Sequence, residues 1–222
     1  VQFLPDPIFQ AFYYIERKHM KTIIYLTIAF IIGLLATECL AQQKTYSSAQ
    51  DDTVLAISFQ GADNTVSQGS CSVIDPSLVL TAGHVVGGSE ALVRYKSDAV
   101  RGRVIALDLY HDLALVRLEK ALDCRPRPVR KTKLETGEKI WIIGYGRGYG
   151  FTLGRVAGNA LRGRSVPGDS GGAIVDSKGS IVGVVQGYSD DGYVYGHGRD
   201  VLVDFIERNK GNDPLKLGGK NE

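Results

Sequence analysis

From Thr53 onward the chain alternates short apolar runs, rich in Val, Ile and Leu, with clusters of Gly, Asp, Ser and Asn. Runs of that length bounded by turn residues predict β-strands rather than helices. Residues 54–59, 68–74, 78–81, 91–95, 101–107 and 113–118 supply six strands, enough for one barrel. Residues 119–136 carry Arg125-Pro126-Arg127-Pro128 and the run Lys131-Thr132-Lys133, and read as an extended, Pro-broken connection whose charges are solvated. A second set follows at 139–144, a Gly-rich hairpin around 145–156, and strands at 161–165, 173–176, 181–186 and 192–196. Over 200–208 the period changes, and the pattern predicts an amphipathic helix burying Val201, Phe205 and either Leu202 or Ile206.

The region before Thr53 has a different texture. Counting from Met20, Lys21 supplies a positive charge, residues 22–35 form an apolar run of 14, and Cys39-Leu40-Ala41 offers small residues where a signal peptidase cuts. Residues 20–41 are therefore expected to be a cleaved signal peptide, the run being short for a membrane-spanning helix. Residues 1–19 precede the only methionine and read as upstream sequence translated from a start set too early. A secreted or periplasmic protein without stable membrane association is the expectation.

Composition narrows the function classes. The 222 residues are 44% hydrophobic and 23% charged, with 27 glycines, as expected for a single β-rich domain with many turns. A net charge of +2 argues against nucleic-acid or acidic-membrane partners. Signal removal leaves it unchanged, because Arg17, Lys18 and Lys21 balance Asp6, Glu16 and Glu38. No convergent His, Cys or carboxylate spacing suggests a metal site, and no cofactor is expected.

Candidate chemistry lies in three motifs. Pro167-Gly168-Asp169-Ser170-Gly171-Gly172 sets a serine on a glycine-lined turn, where its hydroxyl can be exposed while neighbouring N–H groups converge. A serine nucleophile needs a base and a group to orient that base. Upstream stand Thr81-Ala82-Gly83-His84 and then His111-Asp112-Leu113-Ala114-Leu115-Val116, giving the order His, Asp, Ser.

Together these motifs resemble the trypsin-like serine proteases of chymotrypsin fold, in particular the compact bacterial secreted branch, over roughly residues 54–209. The resemblance implies two six-stranded antiparallel β-barrels, about 53–118 and 139–198, closed by a C-terminal helix. A single protease domain then spans 53–209, and 210–222 is a tail. It implies that Ser170 attacks the scissile carbonyl, that His84 is general base and then acid, and that Asp112 orients the imidazole. The backbone N–H groups of Gly168 and Ser170 would form the oxyanion hole. Substrates would be proteins or peptides, and the enzyme a monomer. His111 is expected to be a neighbour at the barrel rim and His197 a strand residue.

Departures from the animal pattern qualify the resemblance. Asp169 matches the aspartate that receives a new N-terminus in zymogens, yet no basic residue followed by an Ile-Val-Gly-Gly-like start occurs. Maturation by signal removal is expected, with Arg164 a candidate partner for Asp169. The base of the specificity pocket should fall on Arg164 or Ser165, and its wall on Gln186, Gly187 and Tyr188 beside Val185. Without an aspartate at the base, cleavage after Lys or Arg is disfavoured. Cys71 lies near a family cysteine whose usual partner position is Val85 here, leaving a Cys71–Cys124 bridge or two separate buried thiols. Against the protease stands a silent protease-fold binding module, disfavoured by the complete triad. A membrane-tethered enzyme like the HtrA group would be expected to carry a further domain after the helix.

Overall fold

A computed structural model describes residues 53–146, 150–158, 160–196 and 199–212. The expected upstream segment, signal peptide, His197 and the tail beyond 212 lie outside the described residues.

The first six strands fall where the apolar runs put them: β1 (Val54–Gln60), β2 (Val66–Asp75), β3 (Leu78–Ala82), β4 (Glu90–Tyr95), β5 (Asp98–Asp108) and β6 (Leu113–Leu118). They close into an antiparallel barrel in the order β1-β2-β3-β6-β5-β4. Alternation sets the faces: on β4, Ala91, Val93 and Tyr95 point into the barrel while Glu90, Leu92 and Arg94 stay exposed. By contrast β6 is buried on nearly every residue, because one face fills the barrel and the other is covered. Phe59, Ile57, Leu80, Ile105 and Leu115 are among the fully enclosed side chains.

The second half contains β7 (Lys139–Gly144), β8 (Gly150–Ala157), β9 (Ala160–Arg162), β10 (Ala173–Asp176), β11 (Ile181–Val184), β12 (Gly187–Tyr188) and β13 (Tyr193–Tyr195). They form one curled seven-stranded half-barrel, ordered β11-β10-β7-β8-β9-β13-β12, instead of a closed six-stranded one. The run expected as one strand over 181–186 divides, since Val185 turns aside to donate its N–H to Gly172 at 2.9 Å. Ile140, Ile142, Val156, Ile174, Val182 and Val194 make the core of this half. A closing helix, α1 (Arg199–Asn209), packs against β6 and β11. It buries Leu202, Phe205 and Ile206 together, and the expected Val201 is only half-buried.

The connection between the halves is less solvated than its charges suggest. Pro128 and Arg130 pair with Ile181 through two main-chain hydrogen bonds of 2.8 Å, covering the open edge of β11. Arg127 is buried: its Nε donates to Thr53 Oγ1 at 2.5 Å and its Nη1 to the Gly179 carbonyl at 2.7 Å. One side chain thus ties the connection to the start of β1 and to the β10–β11 turn. Arg130 pairs with Glu138 and, at 3.3 Å, with Asp176. Cys71 is a buried thiol not bonded to Cys124, which is half-buried, and loss of solvation pushes the Cys71 thiol well above its ordinary range.

The guanidinium of Arg130 holds the Glu138 carboxyl below its ordinary value of 4.5. A depressed folded value means the pair stabilises above that value and is lost as the pH falls through the folded one. Glu138→Gln is expected to cost about 1.5 to 3 kcal/mol at pH 7. In urea titrations from pH 7 to pH 3, the gap to wild type should close as the solution turns acid; a constant gap would contradict the assignment.

Candidate active site

The pairing of β3 with β6 sets the site. Ala82 lies opposite Leu113, so the chain leaving β3 and the chain entering β6 stand side by side on one rim of the barrel. His84 is two residues past Ala82, in a single 3-10 turn Gly83–Val85, and Asp112 immediately precedes β6. The carboxylate grips His84 at two points. Its Oδ2 lies 2.8 Å from Nδ1 of the ring, and its Oδ1 accepts the backbone N–H of His84 at 2.6 Å. A carboxylate can only accept, so Nδ1 carries a proton in this contact and the neutral ring presents Nε2 as the acceptor. Gly83 permits the approach: a Cβ there would lie 3.2 Å from Oδ1 of Asp112.

Asp112 reaches this position with φ of 52°, the left-handed region that Asp tolerates better than most residues. A clamp from the other half holds the turn. Gln186 Nε2 donates to the carbonyl of His111 at 2.6 Å and to that of Asp112 at 3.2 Å. The neighbouring His111 has its own carboxylate, with Asp108 Oδ2 at 2.7 Å from Nδ1 and Oδ1 accepting the His111 N–H at 2.9 Å. That contact holds the Asp108 carboxyl below its ordinary value, the side-chain hydrogen bond being the main cause.

Ser170 sits on the turn between β9 and β10. Its main-chain partners account for most of the turn: Asp169 N–H donates to Val166, Gly171 N–H to Val185 and Gly172 N–H to Asp169, at 2.7 to 3.0 Å. Gly168 and Ser170, beside the hydroxyl, have N–H groups that donate to no acceptor among the described residues. Two unspent donors beside a serine hydroxyl are what a developing oxyanion requires. The turn also locks onto the first barrel, with Ser70 N–H donating to the Ser170 carbonyl at 2.7 Å. At Gly171, where φ is +84°, a Cβ would fall 2.1 Å from the Ser70 carbonyl oxygen. No hydrogen bond joins the Ser170 hydroxyl to the His84 imidazole in this structure.

The other expected residues take unequal parts. Asp169 is held by the N–H groups of Gly146 at 2.9 Å and Val166 at 2.8 Å, with the Ser165 hydroxyl at 3.3 Å, and makes no ion pair with Arg164 among the described residues. Arg164 is exposed, whereas Ser165 is buried and engaged with Asp169. Gln186 spends its amide on the Asp112 turn. Gly187 and Tyr188 form the edge strand β12, with Tyr188 exposed. A cavity of about 590 Å³ opens beside Gly168, lined also by Gly69, Arg94, Tyr145 and Pro167. Sequence reasoning missed Ser70 and the clamping role of Gln186; Ser70 stands among Ser67, Gln68 and Ser72 on the same strand, so nothing in the pattern singles it out.

Residues 69–184 match the family profile of the trypsin-like peptidase domain. The serine protease Rv3671c of Mycobacterium tuberculosis is 29% identical over 149 residues, covering 57% of this chain and 37% of that protein. An HtrA-like serine protease of Staphylococcus epidermidis is 30% identical over 169 residues, covering 61% of this chain and 28% of the relative. The chain thus spans about two fifths or less of the length of these curated relatives. Among solved structures, the active form of the Rv3671c protease aligns with a TM-score of 0.69 at 22% identity, over 75% of this chain and 84% of that one. The serine endoprotease from Yersinia pestis gives 0.66 at 17% identity, over 79% and 67%. At these identities the structural likeness speaks for the fold.

Gly171→Ala tests how tightly the turn is seated. Strain at positive φ and the clash with the Ser70 carbonyl should together cost roughly 3 kcal/mol or more. The urea midpoint should drop accordingly, and an unchanged midpoint would mean the turn is looser than described.

Proposed function

The chain belongs to the trypsin-like peptidase family, and on that premise we propose that it is a secreted serine endopeptidase working through His84, Asp112 and Ser170. The observation that carries this reading is the two-point contact of Asp112 with His84, which leaves Nε2 of the neutral ring without a proton. His84 Nε2 takes the proton of Ser170 as Oγ bonds to the scissile carbonyl carbon. The carbonyl π electrons move to oxygen, and that oxyanion accepts the N–H groups of Gly168 and Ser170. Collapse of the tetrahedral species breaks the C–N bond, and the leaving amine takes the proton from His84. Water then attacks the acyl ester, gives its proton to His84, and Ser170 oxygen leaves and recovers it. Rotation of the Ser170 side chain toward Nε2 when substrate binds supplies the hydrogen bond absent from the free site.

The substrate is an extended segment of a protein or peptide. β12 is the last strand of its sheet, so its outer edge can accept such a segment as an added strand. Neither Arg164 nor Ser165 offers a carboxylate at the expected pocket base, and cleavage after Lys or Arg is disfavoured. Export rests on the charged, apolar and small-residue pattern of residues 20–41, and action as a monomer outside the cytoplasm completes the proposal.

Protein beginning at Gln42 should be labelled stoichiometrically by a fluorophosphonate, and Ser170→Ala should not label. Labelling at another serine, or none in a folded sample, would favour a binding module. Asp112→Asn should keep the fold and reduce kcat by roughly 10³ to 10⁴, by stabilising the wrong imidazole tautomer. A loss under tenfold on a peptide substrate would assign the orienting role to another carboxylate.

A further inference from the structure

Ser70 lies in the middle of β2, opposite Ala56, with none of its surface exposed. Every polar atom it has is engaged. Its hydroxyl accepts the N–H of Tyr145 at 2.9 Å and donates to the carbonyl of Gly168 at 2.8 Å. Those directions are forced, because an amide N–H can only donate and a carbonyl can only accept. Its own N–H donates to the Ser170 carbonyl at 2.7 Å, and its carbonyl accepts the Thr81 hydroxyl at 2.8 Å. One residue of the first barrel therefore holds the carbonyls of both Gly168 and Ser170, whose N–H groups beside the Ser170 hydroxyl donate to no acceptor among the described residues.

We propose that Ser70 is a positioning residue for the oxyanion hole, acting through its hydroxyl on Gly168; the inference rests on the protease reading given above. Gly168 has φ of +95° and no side chain, so its peptide planes are free to turn unless something fixes them. The Ser170 N–H is already framed, because Gly172 holds the Asp169 carbonyl and the Ser70 main chain holds the Ser170 carbonyl. At Gly168 the only tie on the carbonyl among the described hydrogen bonds is the Ser70 hydroxyl. The peptide after Gly168 is thus anchored at both ends, at its carbonyl by Ser70 and at its N–H, that of Asp169, by Val166 at 3.0 Å. Losing the first tie lets it tilt on the second, and the tilt passes through the Gly168 Cα to the preceding peptide, whose N–H then loses its aim at the site where negative charge develops. The tie costs nothing at the moment of reaction, since it is made in the resting protein.

Ser70→Thr and Ser70→Val have nearly the same shape, suit a strand equally and differ by the hydroxyl, so their comparison isolates it. The readouts are the second-order rate of fluorophosphonate labelling at Ser170, whose phosphoryl oxygen would occupy the oxyanion position, and kcat and KM on a peptide substrate. Ser70→Val is expected to be about tenfold or more slower than Ser70→Thr in labelling and in kcat, with KM within about twofold, consistent with disturbing one hole donor. Equal rates for the two variants, or a change confined to KM, would overturn the proposal. If neither branched side chain is accommodated, Ser70→Ala is compared with wild type in samples that unfold in one transition. A tenfold slower labelling sustains the proposal there, and an unchanged rate overturns it. Failure of wild type to label removes the protease reading and this inference with it, whereas labelling of wild type with Thr and Val alike removes this inference alone.

Discussion

The antiparallel pairing of β3 with β6 is the constraint from which the site follows. It runs unbroken from Leu78 opposite Arg117 to Ala82 opposite Leu113, and both strands are almost wholly buried. A slip of one residue would turn every side chain of a strand to its other face, exchanging the residues that fill the barrel with those that pack under its cover, which a close-packed core does not accommodate. The register is therefore fixed by the core, and the core in turn fixes where the chain exits. His84 and Asp112 need no long side chains to meet, because the strands deliver them to the same rim. Packing and site geometry are here two consequences of one alignment.

The turn that carries Ser170 obeys a different logic. It belongs to the half-barrel by connection, through β10, but the carbonyls of Gly168 and Ser170 are held by β2 of the first barrel. Gln186 makes the reciprocal link, reaching from beyond β11 to the carbonyls of His111 and Asp112. Each half thus braces the reactive segment of the other. Movement between the halves would disturb both Ser170 and Asp112, so rigidity at this junction is part of the site.

Local pattern told most where the apolar runs are unbroken, in either half. β6, β7 and β10 begin and end where their apolar runs do, because uninterrupted Val, Ile and Leu bounded by turn residues admit few other readings. Closure was not legible in the second half, where β9, β12 and β13 are two or three residues long and their order depends on nonlocal pairing. Arg127 misled for a related reason: in a Pro-rich connection it reads as solvated, and only Thr53 and Gly179, distant in sequence, make a buried place for it. The motifs put His84, Asp112 and Ser170 forward and gave Asp112 to His84, but the pairing of Asp108 with His111 was not among their expectations. Nor could they find Ser70, whose importance lies in what its neighbours' main chains need.

Asp112 carries a further implication for how such a chain changes over generations. Its left-handed backbone is a conformation that glycine adopts at no steric cost and most other side chains resist. Drift toward Gly at this position would relax the main chain while giving up both contacts to His84, two contributions of opposite sign. Part of what the carboxylate adds to folding is therefore offset by the backbone it requires. If the proposed chemistry holds, a copy released from it could lose this carboxylate while remaining folded.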